Sequence, residues 1–324
     1  MKREDCKYYI CPACESDGEL VERGCDSSPA RPLLKCGKCG ETYPIEGGIP
    51  RFIKTDKYAS SFGMQWNLNR RTQLDSYTGA TISRDRLRES TRWPRQMAGQ
   101  RILEAGSGAG RFTETLLDTG AEVFSFDLSS AVDANMRNNG HNENLHLFQG
   151  DIFHIPLKKA SFDKVLCLGM IQHTPDPERA FRCLVEYIRP GGEIVIDVYT
   201  KSLRHLLQWK YLLRPLTKRM DEERLYRIVS AWTKRLYPMG LLLRRSLGGL
   251  GRRLMPVVAH SFSDLSEEAN LEWSILDTFD MYSPAHDHPQ TIATVLHWFF
   301  EAGLRDVTVE YGLNGIVGRG AKPT

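Results

Sequence analysis

What the 324-residue chain lacks narrows it first. No run approaches the roughly 18 consecutive apolar residues that a membrane-spanning helix needs. The N-terminal stretch Met-Lys-Arg-Glu-Asp-Cys has no apolar segment of the kind that directs secretion, so the expected location is cytoplasmic. Net charge is scarce too, at +3, which by itself does not suggest a nucleic-acid partner. What remains, 41% hydrophobic and 26% charged residues, is ordinary for a globular protein of one large domain plus a small one.

The scarcity of charge hides an uneven distribution. Residues 201–260 hold 14 Lys and Arg against three acids, a local excess of +11 that leaves −8 on the remainder. Cysteine is not scarce: there are eight. In a cytoplasmic chain they read as metal ligands and core thiols rather than disulfides. Cys11-Pro-Ala-Cys14 and Cys36-Gly-Lys-Cys39 are two C-x-x-C knuckles 21 residues apart, a spacing that lets two hairpins bring four thiolates around one tetrahedral zinc ion. A redox pair is the rival reading, and Cys6 and Cys25 are spare thiols. A unit this small has too little core to fold alone, so the metal is expected to supply its stability. The following Glu41-Thr-Tyr-Pro-Ile-Glu-Gly-Gly-Ile-Pro resembles the end of the zinc-ribbon modules that occur alone as methyltransferase activators or fused in front of methyltransferases.

Arg101-Ile-Leu-Glu-Ala-Gly-Ser-Gly-Ala-Gly110 reads as a buried strand running into a glycine turn, with a helix pattern directly after it. Gly106, Gly108 and Gly110 let the backbone turn sharply and approach a ligand. Their G-x-G-x-G spacing differs from the G-x-G-x-x-G dinucleotide fingerprint. Strand and helix patterns then alternate, as in a parallel sheet covered on both faces. The second strand ends on Asp127, 21 residues after Gly106, where a carboxylate can accept both ribose hydroxyls of an adenosine-containing cofactor. The third ends on Gly150-Asp151, and the fourth runs into Gln172-His-Thr-Pro-Asp176. A helix over 178–188, the turn Arg189-Pro-Gly-Gly192 and a fifth strand over 193–199 complete the run.

With Glu104 before the glycine turn, these motifs together make residues 101–200 resemble a class I S-adenosylmethionine-dependent methyltransferase of the type-11 kind. The resemblance implies an α/β, Rossmann-like seven-stranded sheet of order 3-2-1-4-5-7-6, whose last two strands fall at Arg305-Asp-Val-Thr-Val-Glu-Tyr and Gly315-Ile-Val-Gly-Arg. It also implies that Glu104, Gly106, Ser107, Gly108 and Gly110 lie against the methionine and ribose of S-adenosyl-L-methionine. Asp127, with Leu128 beside it, would take the ribose; Asp151 and Ile152 the adenine; and the loop with Gly169 and Gln172 the methionine side. The expected organisation is a zinc ribbon over 1–54, a helical connector over 55–100, and a methyltransferase domain over 101–324 with a helical cap inserted at about 201–285. In the connector, Trp66 is either a ligand cover or a packing anchor.

The cap patterns Leu203–Leu213, Glu222–Leu236 and Leu241–Leu254 read as basic amphipathic helices. Their faces fit a lipid headgroup surface, RNA phosphates, a phosphorylated substrate, or only solvent around an ordinary core. The aromatics sit among leucines rather than between arginines, which disfavours RNA. So does Leu168-Gly-Met-Ile standing where base amino-group methyltransferases carry an Asn-Pro-Pro-Tyr type tetrapeptide. Methyl transfer is an in-line displacement, and a general base is needed where a hydroxyl acceptor loses its proton. The candidates are His173, His286, His288 and Tyr282. A metal held by His286, Asp287 and His288 is a poorer fit, since adjacent residues rarely converge on one ion. The chain therefore reads as a methyltransferase acting on a small or lipid-linked acceptor, possible peripheral membrane contact included; the alternatives are an RNA methyltransferase and a non-catalytic cofactor-binding scaffold.

Overall fold

The structure, a computed structural model, describes residues 3–15, 20–23, 32–55, 58–201 and 209–324. Cys25 and the first part of the expected cap helix, residues 203–208, lie outside these. Four short strands open the chain: β1 (Leu20–Arg23), β2 (Leu33–Cys36), β3 (Thr42–Glu46) and β4 (Ile49–Pro50), paired antiparallel in sequence order. The connector carries α1 (Ser60–Leu68), α2 (Asp75–Thr78) and α3 (Ile82–Thr91).

Strand and helix then alternate as β5 (Arg101–Ala105), α4 (Arg111–Leu117), β6 (Glu122–Asp127), α5 (Ala131–Asn139), β7 (Leu145–Gln149), β8 (Phe162–Cys167), α6 (Pro177–Tyr187) and β9 (Ile188–Val198). The cap follows as α7 (Trp209–Thr217), α8 (Glu222–Leu247), α9 (Gly249–Leu254) and α10 (Glu267–Tyr282). The chain closes with α11 (Ile292–Glu301), β10 (Arg305–Gly312) and β11 (Gly315–Ala321). The large sheet has the order β10-β11-β9-β8-β5-β6-β7, which is 3-2-1-4-5-7-6 read from its other edge. β5 to β9 run parallel; β11 and β10 are antiparallel to their neighbours.

The parallel strands are buried on nearly every residue, because helices cover both faces. Phe126 and Phe148 stack across β6 and β7 inside one continuous core that also holds Phe124. Tyr9, Leu20, Leu34 and Phe52 of the N-terminal module belong to that same core. α6 starts where the Asp176 carboxylate accepts the Arg179 N–H at 3.0 Å, with Pro177 in the first helical position, whose missing N–H costs nothing there.

Two elements differ from the sequence reading. β9 begins at Ile188, not 193: Ile188 pairs with Phe162 and Glu193 with Lys164, so Arg189–Gly192 bulge out of a continuing strand. The second cap helix and the first half of the third merge into α8, a 26-residue helix that continues through the exposed Pro238, while the rest of the third is the separate α9. Leu225 and Val229 of α8 pack with Phe279 and Tyr282 of α10 and with Met64 of α1, which seats the cap on the connector. Among the described residues no helix is long and apolar enough to cross a membrane.

Candidate active site

The loop after β5 depends on glycine for a steric reason. Gly106, Gly108 and Gly110 have φ of +78°, +52° and +89°, in the left-handed region. A Cβ on Gly106 would stand 2.5 Å from Met170 Cγ, and one on Gly108 3.1 Å from the Trp66 ring. The Gly106 and Ser107 N–H groups donate to the Phe126 carbonyl, fixing the turn against the end of β6. There Asp127 accepts from Gly108 N at 3.0 Å, Ser129 N at 2.9 Å and Ser129 Oγ at 2.7 Å. Burial raises its pKa, and those three donors oppose the rise.

A cavity of about 570 Å³ opens above this turn. One wall comes from the C-terminal ends of β5, β6 and β7: Gly106, Ser107, Gly108, Asp127, Leu128 and Ile152, with Trp66 over them. Gly169 and Met170 join it to a second wall built by the connector, β9 and the cap, where Arg86, His173, Tyr199, Lys210, Arg214, His260, Trp273, Asp280 and Asp287 stand. His173 is 7% exposed. Its Nδ1 lies 3.0 Å from the His286 carbonyl oxygen, which can only accept, so Nδ1 carries the proton. In the neutral ring Nε2 is then the lone-pair nitrogen, buried and, among the described residues, without a hydrogen-bond partner. The ring is held by Phe62 at 5.1 Å and Tyr199 at 5.4 Å.

The sequence pattern of the family described as Methyltransferase domain matches residues 103–196, the span from β5 into β9 that carries the turn, Asp127 and His173. This segment is a class I methyltransferase domain. The ubiquinone biosynthesis O-methyltransferase of Aromatoleum aromaticum is 29% identical over 121 residues, 34% of this chain and 49% of the relative. That of Coxiella burnetii is 24% identical over 181 residues, 54% of this chain and 73% of the relative. The chain spans about half the length of the first curated relatives it matches. Among solved structures, human N-acetylserotonin methyltransferase in complex with SAM has a TM-score of 0.40 at 15% identity, covering 81% of this chain and 54% of that one. A chain from the complex of the Haloferax volcanii Trm112 methyltransferase activator has 0.46 at 14%, covering 81% and 98%.

Several expected site residues of the methyltransferase domain stand behind the cavity rather than in it. Glu104 is 2% exposed; its Oε2 accepts from Thr113 at 2.6 Å and Ser125 at 2.7 Å, its Oε1 has no partner among the described residues, and burial pushes it up to about 7. Gly110 caps α4, where a Cβ would strike Asn135. Asp151 accepts the Phe153 N–H at 3.0 Å and closes its own turn, leaving Gly150 and Ile152 at the wall. Gln172 is buried and braces the loop through the Gly169 carbonyl at 2.9 Å.

Tyr282, His286 and His288 do not line the cavity, a correction to their expected catalytic role. The Tyr282 hydroxyl donates to the Pro256 carbonyl at 2.6 Å and braces the cap. His288 is exposed and donates its backbone N–H to the Gln172 carbonyl, while His286 contributes the carbonyl that orients His173. Between them, Asp287 faces inward and pairs with Lys210 Nζ at 2.9 Å and Arg214 Nη1 at 2.7 Å.

Much of the second wall was not foreseen. Arg111, just past the glycine turn, donates from Nε to Ser83 Oγ at 3.1 Å and from Nη1 to Gln73 Oε1. Among the described residues no carboxylate pairs with it; Gln73 stands between it and Asp277, which pairs with His260 at 2.7 Å. Burial, and then the neighbouring Arg86, pull Arg111 down to about 9. Arg86 pairs with Asp197 at 2.6 Å, and its Nε is buried without a partner among the described residues. Lys210 and Arg214, four residues apart on one face of α7, were the one part of this wall that helical spacing could have flagged.

The N-terminal module gathers Cys11, Cys14, Cys36 and Cys39 with all four sulfurs within 4.8 Å of one another. Cys11 and Cys39 are 3.6 Å apart, Cys14 and Cys36 3.8 Å. Bonds of about 2.3 Å to a tetrahedral zinc put sulfurs about 3.8 Å apart, so the donor set fits that ion. The backbone N–H groups of Cys39 and Lys38 lower Cys36 to about 6, favouring the thiolate that a metal binds. Among the described residues this is the one cluster able to hold a metal.

Proposed function

We propose that the chain transfers a methyl group from S-adenosyl-L-methionine to a hydroxyl of a small organic acceptor. The observation that carries this reading is one cavity with the glycine turn and Asp127 on one wall and the free Nε2 of His173 on the other. The cofactor, when bound, supplies an electrophilic methyl group. Asp127 and Leu128 would hold its ribose, and Gly150 and Ile152 its adenine. His173 Nε2 would take the acceptor's proton, the His286 carbonyl holding the ring in the tautomer that can accept it. The cap closes over the acceptor and keeps water out. Arg111 favours an acceptor with a negatively charged group, since a buried cation that no carboxylate pairs with among the described residues is stabilised by one.

A lipid-linked acceptor is a second reading, favoured by α7. Lys210 and Arg214 face the cavity while Trp209, Leu212 and Leu216 are exposed on its outer side, in the most basic part of the chain. Assay of methyl transfer to phenols, catechols and hydroxy acids, with sedimentation on anionic vesicles, tests both readings. Calorimetry must first show S-adenosylhomocysteine binding. Binding without turnover on any hydroxyl acceptor would leave a cofactor-binding scaffold in place of the enzyme.

A further inference from the structure

The four-cysteine module grips one stretch of the methyltransferase domain, residues 149–157, from both ends. At one end Ile10, next to Cys11, donates its N–H to the Pro156 carbonyl at 3.0 Å, and Tyr9 pairs with Leu157 as an antiparallel bridge. At the other, Phe52 donates its N–H to the Gln149 carbonyl at 2.8 Å, and Arg51 pairs with Gln149 as a parallel bridge. The two sheets stay separate, and these isolated bridges tie the small one to the large one beside its β7 edge.

The Arg51 side chain deepens this contact. It is 8% exposed, with Nη1 donating to Gln149 Oε1 at 3.0 Å and Nη2 to Asp133 Oδ1 at 2.6 Å. Gln149 passes the constraint on, donating from Nε2 to the Leu128 carbonyl at 2.8 Å, and Gly150 N–H donates to the Asp127 carbonyl at 3.0 Å. Asp127, Leu128, Gly150 and Ile152 all line the cavity. An arginine of the N-terminal module therefore holds the segments expected to meet the adenosine.

We infer that Arg51 is a positioning residue for the cofactor's adenosine end, and that through Arg51 and Ile10 the metal held by the four cysteines sets cofactor affinity. The inference rests on the cofactor reading of the cavity. The module's strands are short and its core is shared, so loss of the metal releases both grips at once. A coupling of this kind is reciprocal: the factor by which zinc tightens cofactor binding is the factor by which cofactor tightens zinc binding.

The test uses the full zinc-loaded chain and two ligands, S-adenosylhomocysteine and adenosine, titrated by calorimetry. Arg51→Ala is expected to weaken both by the same factor, about tenfold for a charge-assisted bond pair. Arg51→Lys, which keeps one of the two bonds, should fall between. In the unmodified chain, competition with a zinc-binding dye should show tighter zinc with saturating S-adenosylhomocysteine than without it. That measurement needs no variant and holds even if Arg51→Ala fails to fold. Zinc affinity unchanged by S-adenosylhomocysteine, or Arg51→Ala binding both ligands like the parent, would overturn the inference. If the zinc-loaded parent binds neither ligand, the cofactor reading itself fails, and the coupling with it.

Discussion

On one wall of the cavity Gly106, Gly108, Asp127 and Ile152 come from three neighbouring strand ends within residues 106–152; on the other, Arg86, Arg111, Tyr199, Lys210, His260, Trp273 and Asp287 come from seven separate elements and loops. The first wall is local. Each of its residues sits at the C-terminal end of a parallel strand, so the spacing along the chain already fixes the spacing across the sheet. The second wall is assembled by tertiary packing, with α10 docked on α8 and α1, and its members have no common period or motif. On the proposed reading, a site divided in this way keeps its donor half constant in form while the acceptor half is free to differ. Four substitutions sharpen or break this division.

The largest effect is expected at His173, on the second wall. Replacing it with Gln, which keeps the bulk but offers no base, should lower kcat by about 10²- to 10⁴-fold for a hydroxyl acceptor. S-adenosylhomocysteine affinity should stay within about twofold. Full turnover in His173→Gln would show that the acceptor needs no base here and would detach this residue from the second wall.

Asp127→Ala attacks the first wall alone. Loss of a charged acceptor for ribose hydroxyls should weaken S-adenosylhomocysteine by about 10- to 150-fold in calorimetry, the equivalent of roughly 1.5–3 kcal/mol. Acceptor binding to the cofactor-saturated enzyme should be unchanged. An equal loss in both would mean that the two walls are not independent.

The sequence reading followed the same division. Sheet order, the glycine turn, Asp127 and the four cysteines were legible because each rests on spacing along one chain segment. His173 could be named from its place after the fourth strand, but its tautomer depends on a carbonyl 113 residues away. Tyr282 and His288 fall outside the cavity lining because a polar residue near the chain's re-entry into the sheet has either face available, and only packing decides it. Arg111 was passed over as an ordinary helix start: nothing local shows that a cap 150 residues downstream will bury it.

Glu104 tests whether a buried acid behind the first wall is held at a cost. Its folded pKa of about 7 exceeds the ordinary 4.5, so it disfavours folding increasingly as pH rises from 4.5 to 7, and by a constant amount above. The shift corresponds to ~3 kcal/mol, of which Glu104→Gln should recover about 1–2 kcal/mol after leaving one amide N–H without a partner. Denaturant titrations of the cofactor-free chain at pH 5 and pH 8 check the sign. The gain should be present at pH 8 and absent at pH 5; a variant less stable than the parent at both would show that the carboxylate is held without strain.

Arg111→Gln probes the second wall where it comes closest to the first. Its backbone follows the glycine turn, yet its guanidinium lies 4.7 Å from the Phe112 ring and 5.6 Å from Trp273 of the cap, among residues of the second wall. If it serves the acceptor, the variant should lose about tenfold in kcat/KM for hydroxy acids, less for their neutral methyl esters, and nothing in S-adenosylhomocysteine affinity. If it serves the cofactor's carboxylate instead, S-adenosylhomocysteine should weaken while methylthioadenosine, which lacks the amino-acid end, does not. The two outcomes fall on opposite sides of the cavity. The boundary between the walls then lies at Arg111, either just before its side chain or just beyond it.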